Sequence, residues 1–266
     1  MDIVCLDCIQ FMKGLEDNSV DLVMTSPPYA MQRKTTYGGI NADDYPLWME
    51  SIGKEIFRVL KPSGSFVLNI KENVEDGVRS FYVYETVGRL ARIFRWTDTF
   101  IWNKLNPFPT GSKKRLKDGF EYCYWFTKTV EYKFFPDNVL VPSTSKYLES
   151  EKRRKNKAGH KCKNGSGMDM TKRYVSDMIR PSNVISLATD TTNHLHPASF
   201  PVGLPLFFIK LMTEEEDVVF DPFMGSGTTL LAAQQLRRKY TGCDVMEKYV
   251  EITKERLDLG LFQGVM

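Results

Sequence analysis

Asp217-Val218-Val219-Phe220-Asp221-Pro222-Phe223-Met224-Gly225-Ser226-Gly227-Thr228-Thr229 is an apolar run that ends in an acid and passes into a glycine-rich turn. The run reads as a buried strand, and a helix from about Gly227 to Arg238 follows it. Glycine has no Cβ, so the backbone of Gly225-Ser226-Gly227 can turn tightly and admit a ligand at close range. The first turn of the helix adds N–H groups without intrahelical partners. A tight strand-to-helix turn alone would account for two glycines. Three neighbours point further, to a nucleoside-binding loop: Asp221 at the strand end, Phe223 as an apolar wall, and Asp244 closing the next strand, Tyr240 to Asp244. An acid about 20 residues beyond such a loop suits a ribose diol. No Gly-Lys-Ser/Thr is present, so a triphosphate P-loop fits poorly.

A second motif stands near the other end. Val20-Asp21-Leu22-Val23-Met24 runs into Thr25-Ser26-Pro27-Pro28-Tyr29. Both motifs therefore sit at the carboxyl edge of strands, where open α/β sheets bind ligands, and they can face each other across one cleft. Two prolines cannot continue a strand ladder, and they fix the backbone so that the Ser26 hydroxyl and the Pro27 carbonyl can point into that cleft. Those are two acceptors for one NH2 group. An exocyclic amine on a nucleobase is a poor nucleophile because its lone pair is delocalised into the ring. Accepting both of its hydrogens frees the lone pair for in-line attack on an activated methyl group. Tyr29 can stack on a flipped base. A proline turn after a buried strand would explain Pro27-Pro28 but not the whole pentapeptide beside a nucleoside loop.

With 266 residues, 42% apolar and 12% aromatic, the chain can bury the core of one large domain or of one domain with an insertion. The amino terminus has no signal-peptide pattern, and no apolar run approaches the ~20 residues of a membrane span. The expectation is a soluble, cytoplasmic protein with no membrane partner. The cysteines are Cys5, Cys8, Cys123, Cys162 and Cys243, an odd number without a paired framework, which suits free thiols in a reducing compartment. Cys5-x-x-Cys8 and the His160/Cys162 pair lack a second tight ligand pair, so no metal site is expected.

Strands alternate with amphipathic helices at both ends, the pattern of a mostly parallel sheet with helices on both faces. Strands are expected at Ile3 to Cys5, Asp21 to Thr25, Ser65 to Ile70 and Thr97 to Trp102, and helices at Cys8 to Leu15, Tyr45 to Leu60 and Phe81 to Phe94. Lys61-Pro62-Ser63-Gly64 reads as the stop of the second helix. From Leu105 to about Asn193 the sequence is irregular, apart from the aromatic strand-like Phe120 to Phe126, which reads as sheet core. This stretch is expected to be an insertion. Ala198 to Met212 then reads as a helix with Pro201 and Pro205 in or near its first turns. Trp102-Asn103-Lys104 ends a strand near the expected cleft and is a candidate contact to a target base.

The net charge is only +3, but the basic residues are concentrated in the middle. One run is Lys113-Lys114-Arg115-Leu116-Lys117. Another spans Lys152, Arg153, Arg154, Lys155 and on to Lys163, followed by Asn164-Gly165-Ser166-Gly167. An isolated charge run is usually a solvated loop; beside a base-modifying site it becomes an arm that contacts phosphates.

Taken in order, the two motifs resemble the β class of S-adenosylmethionine-dependent DNA amino-methyltransferases, in which the catalytic motif comes first, the target-recognition region lies between, and the cofactor motif comes last. The resemblance covers nearly the whole chain. It implies an α/β, Rossmann-like methyltransferase fold with permuted motif order and a small inserted target-recognition region. The implied division is 1–104 for the catalytic part, 105–193 for target recognition with the basic loop, and 194–266 for the cofactor-binding part. Catalytic residues carried over are Ser26, Pro27, Pro28 and Tyr29. For S-adenosylmethionine they are Asp221, Pro222, Phe223, Gly225, Ser226, Gly227 and Thr228 in the loop, with Asp244 at the ribose. Asp7, after the first strand, is matched to the adenine amine, although a helix N-cap would look the same. His196-Pro197-Ala198-Ser199-Phe200-Pro201 resembles the segment that wraps the methionine end, with His196, Pro197 and Phe200 as its contacts; a proline-marked helix start would look alike. Lys113, Lys114, Arg115, Lys152, Arg153, Arg154 and Lys155 are assigned to DNA.

In that family Ser before Pro-Pro-Tyr is typical of cytosine N4 methylation and Asp of adenine N6 methylation, so Ser26 implies cytosine. Methylation at cytosine C5 needs a cysteine nucleophile, usually after proline, and no cysteine here follows one. The expected reaction is direct transfer to a base flipped from double-stranded DNA, and a sulfonium-activated methyl needs no metal. Adenine N6 methylation is the nearest alternative. More distant are an RNA methyltransferase, a protein amide methyltransferase of the kind that methylates glutamine with Asn-Pro-Pro-Tyr, in which the cofactor loop precedes that motif, and an inactive DNA-binding module. The resemblance also implies association with the nucleoid through DNA, and is compatible with a cognate restriction endonuclease and a homodimer.

Overall fold

The computed structural model describes residues 2–30, 39–109, 113–143, 178–189 and 200–258. In chain order the first half contains β1 (Ile3–Cys5), α1 (Cys8–Lys13), β2 (Val20–Thr25), α2 (Tyr45–Val59), β3 (Leu60–Ile70), β4 (Val74–Glu75), β5 (Val78–Arg79), α3 (Tyr82–Leu90) and β6 (Arg95–Lys104). The second half contains β7 (Phe120–Thr127), a 3-10 turn (Pro136–Val139), β8 (Val141–Pro142), β9 (Met178–Ile179), β10 (Val184–Leu187), α4 (Gly203–Met212), β11 (Val218–Asp221), α5 (Thr228–Gln235), β12 (Lys239–Asp244) and α6 (Glu247–Asp258).

Among the described residues, eight strands form one sheet in the order β1-β12-β11-β2-β3-β7-β6-β10. Pairing is parallel except where β7 runs antiparallel between β3 and β6. The expected mostly parallel α/β sheet is thus present. Alternation along the central strands explains the two covered faces. Val23, Phe66, Leu68, Tyr124 and Phe126 pack into one apolar cluster with Phe11, Met49, Ile52, Ile56 and Val87 of α1 to α3. Leu22, Met24, Val67, Cys123 and Trp125 point the other way, onto Leu204, Phe208 and Ile209 of α4 and Ala232 and Ala233 of α5.

Several elements differ from the sequence expectation. The stretch 105–193 is not wholly an insertion: β7 lies inside the main sheet and β10 forms its edge beside β6. Their buried Tyr124, Trp125, Phe126 and Ile185 are core, as the aromatic pattern suggested for Phe120 to Phe126. The Lys61-Pro62-Ser63-Gly64 turn is absorbed into β3 as an irregularity. Val20 pairs with Leu60 and Leu22 with Ser65, so the intervening residues bulge out of register. Gly64 is required there, because a Cβ would lie 2.9 Å from the Asp21 carbonyl oxygen. Helix α4 starts at Gly203 rather than Ala198; Pro201 precedes it and its carbonyl accepts from Leu204 N. Helix α3 ends at Leu90, and residues 91–93 continue as turns rather than helix.

Candidate active site

The two motifs lie on neighbouring strands. β2 and β11 pair in parallel, Leu22 with Val219 and Val23 with Phe220, so Thr25-Ser26 and Asp221-Pro222 leave the same edge of the sheet side by side. They are also bonded to each other. Thr25 Oγ1 donates to Asp221 Oδ1 at 2.7 Å, Thr229 Oγ1 donates to Asp221 Oδ2 at 2.8 Å, and Phe223 N donates to Asp221 Oδ1 at 3.0 Å. Asp221 is buried, and burial outweighs these three bonds, raising its pKa to about 6. Its two oxygens fasten the floor of the cleft. Neither Thr25 nor Thr229 stood out in the sequence as its partner.

The glycine loop is shaped from below. Gly225 and Gly227 have φ of 51° and 79°, the left-handed region that glycine tolerates. A Cβ on Gly227 would lie 2.5 Å from Thr253 Cγ2 of α6. Thr253 Oγ1 donates to the Gly225 carbonyl at 2.9 Å, and Arg256 donates to the Ser226 carbonyl. Helix α6 therefore holds the loop's carbonyls on the side away from the cleft. Asp244, buried at the end of β12, accepts from Gly225 N at 3.1 Å and from Met246 N at 2.9 Å. The Ser226 hydroxyl is buried with no hydrogen-bond partner among the described residues, which is the kind of group a polar ligand satisfies. Pro222 and Thr228 are buried in the same turn, and Phe223 packs its ring 5.5 Å from Trp48 of α2.

Asp7 is the N-cap of α1: its Oδ1 accepts from Ile9 N and Gln10 N, so helix capping accounts for one of its oxygens. Phe200 is buried in the α4-side core. His196 and Pro197 lie outside the described residues, as do Lys152, Arg153, Arg154 and Lys155. Lys113 and Lys114 are exposed, whereas Arg115 is half-buried and pairs with Asp118 at 2.9 Å. Asp118 also binds Lys71 and Arg79, so three cations share this carboxylate beside the start of β7.

On the catalytic side, Pro27 is buried while Ser26, Pro28 and Tyr29 are half-buried. Tyr29 Oη donates to Glu121 Oε2 at 2.9 Å and receives the Ser26 hydroxyl at 3.5 Å. Burial, reinforced by the Glu121 charge, pushes the Tyr29 phenol well above its ordinary pKa, so it stays protonated. Glu121 Oε1 in turn binds Lys104 Nζ at 2.6 Å. The residues considered for base contact are otherwise engaged: Trp102 is buried with its Nε1 donating to the Leu187 carbonyl, Asn103 donates to Ser186, and Lys104 is paired with Glu121. Sequence reasoning missed Glu121. Its signal was a lone carboxylate in the aromatic run Phe120-Glu121-Tyr122-Cys123-Tyr124-Trp125-Phe126.

A family model described as DNA methylase matches residues 20–255, spanning both motifs and the sheet between them. The chain belongs to the DNA methylase family. It is 32% identical to the type II methyltransferase M.PvuII of Proteus hauseri, over 92% of this chain and 80% of that protein. The solved structure of PvuII DNA methyltransferase (cytosine-N4-specific) superposes with a TM-score of 0.74 at 27% identity, covering 100% of this chain and 88% of that one. M1.HpyAVI, solved as a SAM complex, matches with a TM-score of 0.62 over 97% of this chain and 98% of its own; at 21% identity it shows the shared fold. As a DNA methylase, the protein has its two signature motifs on paired strands at one edge of the sheet. No helix among the described residues is long and apolar enough to cross a membrane.

Proposed function

We propose that this methylase transfers a methyl group from S-adenosylmethionine to N4 of cytosine in double-stranded DNA. The observation that carries it is the placement of Ser26, just past the end of β2 and ahead of Pro27-Pro28-Tyr29, beside β11, which leads into the Gly225-Ser226-Gly227 loop. A relative titled cytosine-N4-specific with the same fold supports the choice of base. When bound, the cofactor supplies a sulfonium methyl group activated for nucleophilic attack. The loop residues Pro222, Phe223, Gly225, Ser226, Gly227 and Thr228 would cradle it, and the buried, unpartnered Ser226 hydroxyl would be among the groups that meet it. Asp244 would hold the ribose, Asp7 the adenine amine, and His196, Pro197 and Phe200 the methionine end. Asp221 acts through the loop, holding Phe223 N and Thr25.

The chain's own groups then prepare the base. Tyr29 offers its ring as a stacking platform, and Ser26 Oγ and the Pro27 carbonyl accept the two N4 hydrogens, which localises the nitrogen lone pair. Lys113, Lys114, Arg115 and Lys152 to Lys155 contact phosphates, and the parts of 105–193 outside β7 and β10 read the target sequence. The protein works in the cytoplasm on nucleoid DNA, and a cognate endonuclease would accord with the type II name of its relative. Incubation with methyl-tritiated S-adenosylmethionine tests the substrate class: label is expected in duplex DNA and not in RNA or protein. Bound cofactor with no label in DNA would overturn the proposal.

A further inference from the structure

Glu121 stands at the far end of a hydrogen-bond chain that starts at Ser26. Its carboxylate is buried, 7% exposed, and accepts from Tyr29 Oη on one oxygen and from Lys104 Nζ on the other. Lys104 is fixed in turn, with Nζ 4.8 Å from the centre of the Trp102 ring. The direction of every bond is set by chemistry. A carboxylate only accepts and an ammonium only donates, so the Tyr29 hydroxyl must give its hydrogen to Glu121. Its oxygen is then an acceptor, and the Ser26 hydroxyl, 3.5 Å away, directs its own hydrogen there. What Ser26 has left to present to the cleft is lone pairs. A serine hydroxyl with a free rotor would meet an amine as donor or acceptor; this one is turned to accept.

We infer that Glu121 is a positioning residue for methyl transfer, which acts through Tyr29 to hold the Ser26 hydroxyl as an acceptor for the target amine. The inference rests on the assignment of Ser26 to the amine made above. Lys104 holds Glu121 in place, and Tyr29, whose ring packs in part against the core cluster of α1 to α3, is held at its hydroxyl.

The amide replacement Glu121→Gln tests the direction rather than the mere presence of the chain. Lys104 can bind only the Gln carbonyl oxygen, which leaves the NH2 group facing Tyr29. The Tyr29 hydroxyl must then accept, turn its hydrogen toward Ser26, and force the Ser26 hydrogen onto the amine. In the full-length protein with S-adenosylmethionine and duplex DNA, E121Q is expected to lower kcat by about tenfold or more. The KM for DNA and the Kd for cofactor should stay within about twofold, the pattern of an interaction made in the transition state. Adding Y29F to E121Q should cost nothing further, because the chain is already reversed. Adding Lys104→Met to E121Q should restore part of kcat, because the freed amide can rotate its oxygen to Tyr29. Unchanged kcat in E121Q, the same additional loss in a Y29F background, or no recovery with Lys104→Met would each overturn the inference. If E121Q does not fold, the apolar pair Glu121→Leu with Lys104→Met carries the test, since such replacements of buried ion pairs are often tolerated; reduced kcat supports the inference and full kcat refutes it. Ser26→Ala separates the two levels. Full turnover in S26A would overturn the assignment of Ser26 itself, whereas a loss in S26A with E121Q unaffected would overturn only the role of Glu121.

Discussion

Thr25 and Asp221 meet at 2.7 Å across neighbouring strands, so the catalytic and cofactor motifs are joined by a direct side-chain bond beneath the cleft. The junction is buried, and both residues are among the least exposed polar groups of the protein. Thr25→Val keeps the shape and removes the donor, leaving a buried carboxylate short of one partner. The expected loss is about 1–3 kcal/mol of stability, read from urea unfolding, with a weaker affinity for S-adenosylmethionine.

Asp221 also makes stability depend on pH. Its folded pKa, about 6, lies above the ordinary 3.8, so the folded state holds the proton more tightly than the unfolded chain. The associated stabilisation is complete below about pH 4 and is lost as pH rises through about 6, a change of about 3 kcal/mol. Asp221→Asn should remove this part of the pH dependence; the amide still accepts from Thr25 and Phe223, and the Thr229 hydroxyl can turn to accept from its NH2. Unfolding free energies measured at pH 4, 5, 6 and 7 in both proteins check the sign.

Gly227→Ala should be poorly tolerated. The new methyl would meet Thr253 at 2.5 Å and the residue would remain at a φ of 79°. A loss of about 1–3 kcal/mol is expected from backbone strain alone, and cofactor affinity should fall with it, as calorimetry would read. Pairing it with Thr253→Ala should relieve most of the clash but not the backbone cost, and it gives up the Thr253 bond to the Gly225 carbonyl.

Much of this site was legible in the chain. The apolar runs before Ser26 and Asp221 placed both motifs at strand ends, because each run was short, β-rich and closed by a turn. Their adjacency needed the sheet order, which no local pattern encodes. The same limit explains β7. Its strand character was plain in Phe120 to Phe126, but its seat between β3 and β6 depends on long-range pairing, so the surrounding irregular sequence made it look like part of an insertion. Glu121 was hidden for a related reason: its partners, Tyr29 and Lys104, come from two other strands' ends. Thr253 and Arg256 sit on an ordinary amphipathic helix, and only the fold brings them under the glycine loop.

Neutralising Lys152, Arg153, Arg154 and Lys155 with alanine should weaken DNA binding without altering cofactor affinity. The slope of log K against log salt should become shallower by roughly 0.9 for each phosphate that these side chains no longer neutralise. Fluorescence anisotropy over a salt series measures it; an unchanged slope would mean that this basic segment does not touch phosphates.

Ser26→Ala should leave cofactor binding intact and lower kcat by about tenfold or more, the effect of losing ~1.4 kcal/mol of transition-state stabilisation. Single-turnover transfer to duplex DNA separates this from any change in product release.

The most direct measurement is the identity of the modified base. The purified protein is incubated with S-adenosylmethionine and mixed-sequence duplex DNA, the DNA is digested to nucleosides, and the methylated species is identified by mass spectrometry. N4-methylcytosine is the predicted product; N6-methyladenine in its place would contradict the assignment that rests on Ser26.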